Sequence, residues 1–112
     1  MNIEEYKAYT AKGGYLEAGT EAAKMMRPAA VEAQRITAAI NGAFHTPEEL
    51  RALFSELTGQ RVDETFALFP PVYTDFGKNI RVGKNVFINS GCCFQDQGGS
   101  EIGGDCLIGH QV

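Results

Sequence analysis

A chain of 112 residues with 44% hydrophobic and 21% charged residues has ordinary globular composition and the size of one domain. Fourteen acidic against 10 basic side chains leave a net charge of -4, which excludes the basic field that draws a protein to nucleic acid or anionic lipid. No apolar run is long enough to span a bilayer, and MNIEEYKAY carries two acids where a signal peptide needs basic then apolar residues, so a cytoplasmic location is expected.

Residues 1 to about 58 read as helical, because Ala, Glu, Lys, Met and Leu dominate and apolar residues recur three or four apart. A helix within 20–41 carries Met25, Val31, Ile36, Ala39 and Ile40 and stops at Asn41-Gly42, and Pro28 implies that it begins or bends near there. The next helix is the clearest. Thr46-Pro47-Glu48-Glu49 combines an N-cap threonine, proline at the first helical position and a capping-box glutamate, and Leu50, Leu53, Phe54 and Leu57 form a stripe that ends at Gly59.

After Gly59 the helical period vanishes and the composition shifts to Val, Ile, Phe, Gly and Asn. Large apolar residues then stand at Phe76, Val82, Ile88, Phe94, Ile102 and Ile108, all six apart but for one step of eight. Two places before each stand Thr74, Ile80, Val86, Cys92, Ser100 and Cys106, mostly small or β-branched. Six residues with a large aliphatic side chain, a smaller one two places earlier and a following glycine suit a short strand and a tight corner. Three such units close one triangular coil. A run of antiparallel hairpins would need longer alternation and variable spacing. The fold class expected is mainly β with N-terminal helices, with 1–60 a helical region and 61–112 the first coils of a parallel β-helix in the same structural unit.

Cys92, Cys93 and Cys106 are an odd count with no secretion signal, so reduced thiols are expected rather than disulfides. They form no CxxC pair, and His45 and His110 do not stand at ligand spacing, so no metal is expected.

The segment PPVYTDFGKNIRVGKNVFINSGCCFQD, residues 70–96, resembles the opening of the β-helix in the maltose, galactoside and nodulation-type sugar O-acetyltransferases of the hexapeptide-repeat family. The matching positions are Pro70, Pro71, Tyr73, Asp75, Phe76, Gly77, Asn79, Ile80, Val82, Gly83, Phe87, Asn89 and Asp96. The helical segment fits more loosely. The resemblance implies a left-handed coil, a homotrimer with sites between neighbouring β-helices, and acetyl transfer from acetyl-CoA to a sugar hydroxyl. An alcohol is a weak nucleophile near neutral pH, so a base must take its proton, and histidine does so in the family. That histidine falls several residues beyond the point matching Val112, and the coenzyme A coils come later still. The chain is expected to stop before both, to be inactive alone and to hold no coenzyme.

The resemblance also implies acceptor contacts. Asn89 matches the asparagine that holds the acceptor hydroxyl near the base, since an amide both donates and accepts. Asp96 matches an aspartate that contacts acceptor hydroxyls, with Gln97 as the alternative holder of that place. Asp75 matches the Asp-aromatic-Gly position and Glu17 an acidic contact in the N-terminal segment. A turn or coil-corner role, in which the side chain bonds backbone, is the competing reading for each. His110, after the Ile108-Gly109 corner, and His45, ahead of the Thr46 cap, do not match the histidine motif. Two other functional readings stand beside the enzyme: a non-catalytic trimeric β-helix module, and a metal-dependent enzyme of the γ-carbonic-anhydrase kind, which needs three histidines.

Overall fold

The computed structural model describes residues 1–112. Helix α1, Ile3–Ala11, starts at Asn2, whose side chain accepts from the Glu5 amide at 2.8 Å while Glu5 accepts from the Asn2 amide at 2.9 Å. Helix α2, Glu21–Asn41, is capped by the Thr20 hydroxyl, which accepts from the Ala23 amide at 3.2 Å. Pro28 lies inside α2 rather than at its start. It removes one bond to the Lys24 carbonyl, and both residues are exposed, so water can take the donor's place. The buried face of α2 is Ala22, Ala33, Ile36, Thr37 and Ile40, while Val31 and Ala39 face solvent.

Helix α3, Pro47–Thr58, carries the cap read from its sequence: Thr46 and Glu49 bond reciprocally at 2.7 and 3.2 Å, and Gly59 closes the helix at φ 71°. Those bonds hold the Glu49 carboxyl below its ordinary value. Leu50, Phe54 and Leu57 are buried, and Phe54 stacks on Phe66 with ring centres 4.7 Å apart.

Seven short strands follow: β1 Ala67–Leu68, β2 Val72–Thr74, β3 Ile80–Val82, β4 Phe87–Ile88, β5 Cys92–Phe94, β6 Ser100–Ile102 and β7 Leu107–Ile108. They form three parallel sheets, β1-β4-β7, β2-β5 and β3-β6, in which Leu68 pairs with Ile88 and Ile88 with Ile108, Thr74 pairs with Phe94, and Val82 with Ile102. Each residue therefore meets the one 20 positions on, and the chain winds round three faces per coil. Parallel partners need a connection of a dozen or more residues, because the chain must return to the same direction, and the circuit of the coil supplies it.

The register departs from the sequence reading at one point. A coil takes steps of six, six and eight, and the longer step occurs twice, at 74–82 and 94–102. Thr74, not Phe76, is the residue in register with Phe94. Phe76 leaves the stack and lies against α1, where its ring meets Tyr6 at 4.5 Å. The first coil also begins earlier, at Ala67, with Phe66 buried two places before Leu68.

One core joins helices and coils: Ile36, Ile40, Phe54 and Leu57 pack with Phe66, Leu68, Val72, Ile80, Val86, Ile88, Cys92 and Ile102, flanked by half-buried Val82, Phe94, Cys106 and Ile108. Lys78 adds a polar tie, donating to the carbonyls of Glu56 and Leu57 at 2.7 Å each, where the end of α3 leaves acceptors unpaired. Burial lowers its pKa. No helix is long and apolar enough to cross a membrane.

Candidate functional site

The β2-β5 face carries the polar residues singled out from the coils. Corners enter and leave it: Asn89 stands just before β5, Asp75 just after β2, and Asp96 and Gln97 after β5. Between these corners runs a groove of about 520 Å³ lined by Tyr73, Thr74, Asp75, Cys93, Phe94 and Gln95. Tyr73 and Cys93 are cross-strand partners with outward side chains, since each lies between two inward positions of a period-two strand.

Asn89 is half-buried. Its Oδ1 accepts from the Ser90 amide at 2.8 Å, and its Nδ2 has no partner within the chain. Its backbone amide is fixed to the Ile108 carbonyl in the next coil at 3.1 Å. The side chain is thus held by one end with its donor end free.

Asp96 and Asp75 come together in the eight-residue steps. Asp96 is fully buried, with Oδ1 accepting from the Thr74 hydroxyl and the Phe76 and Gly77 amides, and Oδ2 from the Asn79 amide. The Asp96 amide donates to Asp75 Oδ1 at 2.9 Å. For the acceptor contact expected of it, Asp96 offers no exposed oxygen in this chain, three donors of the turn resting on Oδ1 and one on Oδ2. Gln97, the alternative holder of that place, is half-buried. Burial first, and the neighbouring Asp96 carboxylate next, push the Asp75 carboxyl above its ordinary value.

Tyr6 is the residue at this corner that sequence reasoning missed. It is fully buried, stacks on Phe76, and its hydroxyl donates to the Gln97 carbonyl at 3.0 Å. Burial, then the charges of Asp96 and Asp75, raise its pKa. A contact spanning 91 positions leaves no periodic trace in the sequence. Glu17 is exposed in the turn that leads to Thr20, where its carbonyl accepts from the Thr20 hydroxyl and its carboxylate has no hydrogen bond.

Neither histidine lines the groove. His45 Nε2 is 2.6 Å from the Ala39 carbonyl, and His110 is exposed in the turn after β7. No three His, Cys, Asp or Glu side chains converge as metal ligands would.

No family model matches the chain. Over 46 residues, 41% of the chain, it is 48% identical to a protein of Staphylococcus haemolyticus whose assignment as an acetyltransferase is provisional, and the match spans 23% of that protein. A crystal structure of a hexapeptide-repeat acetyltransferase from Vibrio cholerae superimposes with a TM-score of 0.72 at 31% identity, over 84% of this chain and 50% of that one. A second structure, of the Vibrio cholerae O1 biovar eltor protein in complex with acetyl-coenzyme A, matches with a TM-score of 0.69 at 27% identity, over 99% and 56%. The chain spans about half the length of these solved relatives. In sequence and in its helix-plus-parallel-coil architecture, it is similar to the hexapeptide-repeat acetyltransferases.

Proposed function

We propose that the protein carries the acceptor side of an acetyl-CoA-dependent O-acetyltransferase acting on a sugar hydroxyl, working in the cytoplasm as a homotrimer of left-handed β-helices. The observation that supports this most is the fold likeness at 31% identity over 84% of the chain, to a protein described as an acetyltransferase. Acetyl-CoA is the co-substrate bound in the related structure, and the same donor is proposed here. On this reading Asn89, with its free Nδ2, steadies the reacting hydroxyl, while Asp75, Gln97 and Glu17 address neighbouring hydroxyls of the sugar.

Chemically, the sugar oxygen attacks the acetyl carbonyl carbon as a base removes its proton, and the thiolate of coenzyme A leaves and regains a proton. A histidine on a coil beyond Val112 is proposed as that base. Two coils form a small core for an independent domain, and apolar side chains such as Phe69 and Leu107 stand 56% and 75% exposed, which supports assembly of three copies. Saturation-transfer NMR with maltose, glucose and methyl galactoside tests the acceptor site, and sedimentation tests the trimer. Binding of a sugar by a trimer is the expected result. A stable monomer that binds none of the three would remove the reading.

A second reading, a non-catalytic trimeric module, is favoured by one observation: neither histidine lines the groove of Tyr73, Thr74, Asp75, Cys93, Phe94 and Gln95, and the His45 ring is turned to the Ala39 carbonyl. Sugar-free trimers would favour it.

A further inference from the structure

Asp96 is joined by its amide to Asp75 and by its carboxylate to the residues on either side of Asp75. Asp96 Oδ1 accepts from the Thr74 hydroxyl at 2.5 Å and from the Phe76 and Gly77 amides at 3.0 Å each, and Oδ2 accepts from the Asn79 amide at 3.1 Å. All four donors belong to the end of β2 and the turn after it, one coil away from Asp96. Three donors crowd Oδ1 and one holds Oδ2, and no solvent reaches the side chain. A sugar hydroxyl could bond there only by breaking the turn. Asp75 is the opposite case: its Oδ1 is held by the Asp96 amide at 2.9 Å, its Oδ2 has no donor within the chain, and it lines the groove beside Tyr73, Thr74 and Gln95.

We propose that Asp96 is a positioning residue for Asp75, gripping the 74–79 turn with its carboxylate and the Asp75 carboxyl with its amide, and does not itself touch the acceptor. The proposal rests on reading this face as the acceptor site. A carboxyl fixed before a ligand arrives does not have to be ordered on binding, which is the gain that preorganisation brings. The charged and titratable groups around Asp75 are few. Asp96 adjoins it from the next coil, the Tyr6 hydroxyl of α1 is bonded to the Gln97 carbonyl, and Lys78 is turned away to the α3 carbonyls. Asp75 therefore reports on Asp96 through its own titration.

The experiment is a carboxyl carbon NMR titration of the 112-residue protein, wild type and Asp96→Asn, with amide exchange and with maltose and methyl galactoside as probes. In Asp96→Asn the neighbouring charge is gone and one oxygen is replaced by a donor. The Asp75 midpoint should move down toward the ordinary aspartate range, and the 76–79 amides should exchange faster. Sugar-induced shifts at Tyr73, Thr74 and Gln95 should require about tenfold more sugar, the equivalent of one hydrogen bond to a charged group. An unchanged Asp75 titration in Asp96→Asn, or a shift of the wild-type Asp96 carboxyl carbon on adding sugar, would overturn the proposal. If wild-type protein shows no sugar shifts, the acceptor reading fails, while titration and exchange still decide the positioning role. Should Asp96→Asn fail to fold, Asp75→Ala serves from the other side: faster exchange of the Asp96 amide alone supports the link, and unchanged exchange there refutes it.

Discussion

The side chain of Asn41, the last residue of α2, pairs with both backbone groups of Val72 in β2: Nδ2 donates to the carbonyl and Oδ1 accepts from the amide, each at 2.9 Å. Val72 is fully buried and its strand has a parallel partner on one side only. The amide therefore closes the open edge of β2 as another strand would, and it fastens the helical region to the first coil. Buried backbone groups left without partners are costly, so this edge needs such a closure.

Asn41→Ala is expected to destabilise the protein by about 2–4 kcal/mol, because it removes two hydrogen bonds and strands a buried N–H and C=O. Asn41→Asp should be no better, since a carboxylate can accept from the Val72 amide but repels its carbonyl. Urea denaturation of the two variants beside wild type checks this. A loss below about 0.5 kcal/mol, the range of ordinary surface changes, would mean that water replaces the side chain.

Gly77 adopts φ 86°, and a Cβ there would lie 3.0 Å from both the Leu57 carbonyl oxygen and its Cδ1. Left-handed backbone costs a residue with a Cβ about 1–2 kcal/mol, and the end of α3 would have to yield as well. Gly77→Ala should lose at least that amount. Gly98→Ala is the control, with open space around it and no positive φ, and should stay within about 0.5 kcal/mol. Equal melting temperatures for the two variants would contradict the packing of α3 on the turn.

Asp75 should make stability fall as pH rises. Its carboxyl is held above the ordinary 3.8 in the folded protein, so folding favours the protonated form. The associated stability is fully present below the unfolded value and is lost as pH rises through the folded one. Glu32, Glu49 and Asp63 are held below their ordinary values and act with the opposite sign, losing their contribution on acidification. Subtracting the denaturation profile of Asp75→Asn from that of wild type isolates the Asp75 contribution. The difference should decline upward from pH 3.8. A difference that is flat, or that grows with pH, would show that this carboxyl is not desolvated in the folded protein.

Residues 1–112 are expected to transfer no acetyl group from acetyl-CoA to maltose, glucose or galactosides, because neither histidine lines the groove beside Asp75. Loss of a general base alone costs about 10² to 10⁴ in rate. Coenzyme A release, followed with a thiol reagent and corrected for Cys93, provides the assay. Turnover at ordinary enzyme levels that disappears in His110→Ala would instead identify His110 as the base.

The start of α3 was legible in the sequence because a cap involves residues three apart: Thr46 and Glu49 announce it without reference to anything distant. The inward positions of the coils were legible for a similar reason. Val82, Ile88, Phe94, Ile102 and Ile108 recur at steps that no helix shares. The phase of the first coil was not legible, since Phe76 stands six residues before Val82 while Thr74, the true inward residue, stands eight before it. Only the stacking partner tells them apart. Thr74 has Phe94 one coil on, while Phe76 has Tyr6.

The candidate site divides along the same line. The residue types and the family resemblance brought Asn89, Asp75 and Asp96 into view, yet Asp and Asn serve turns and ligands equally well. Which carboxylate faces the groove depends on where the donors lie, and the four donors that enclose Asp96 come from residues 17 to 22 positions away. The sequence by itself determined the local elements and the repeating inward face, because short-range hydrogen bonds and side-chain spacing are written in adjacent residues. The tertiary structure alone decided the 20-residue coil, the closure of β2 by Asn41 and the enclosure of Asp96, because each is a bond between distant segments that exists only once the coils have stacked.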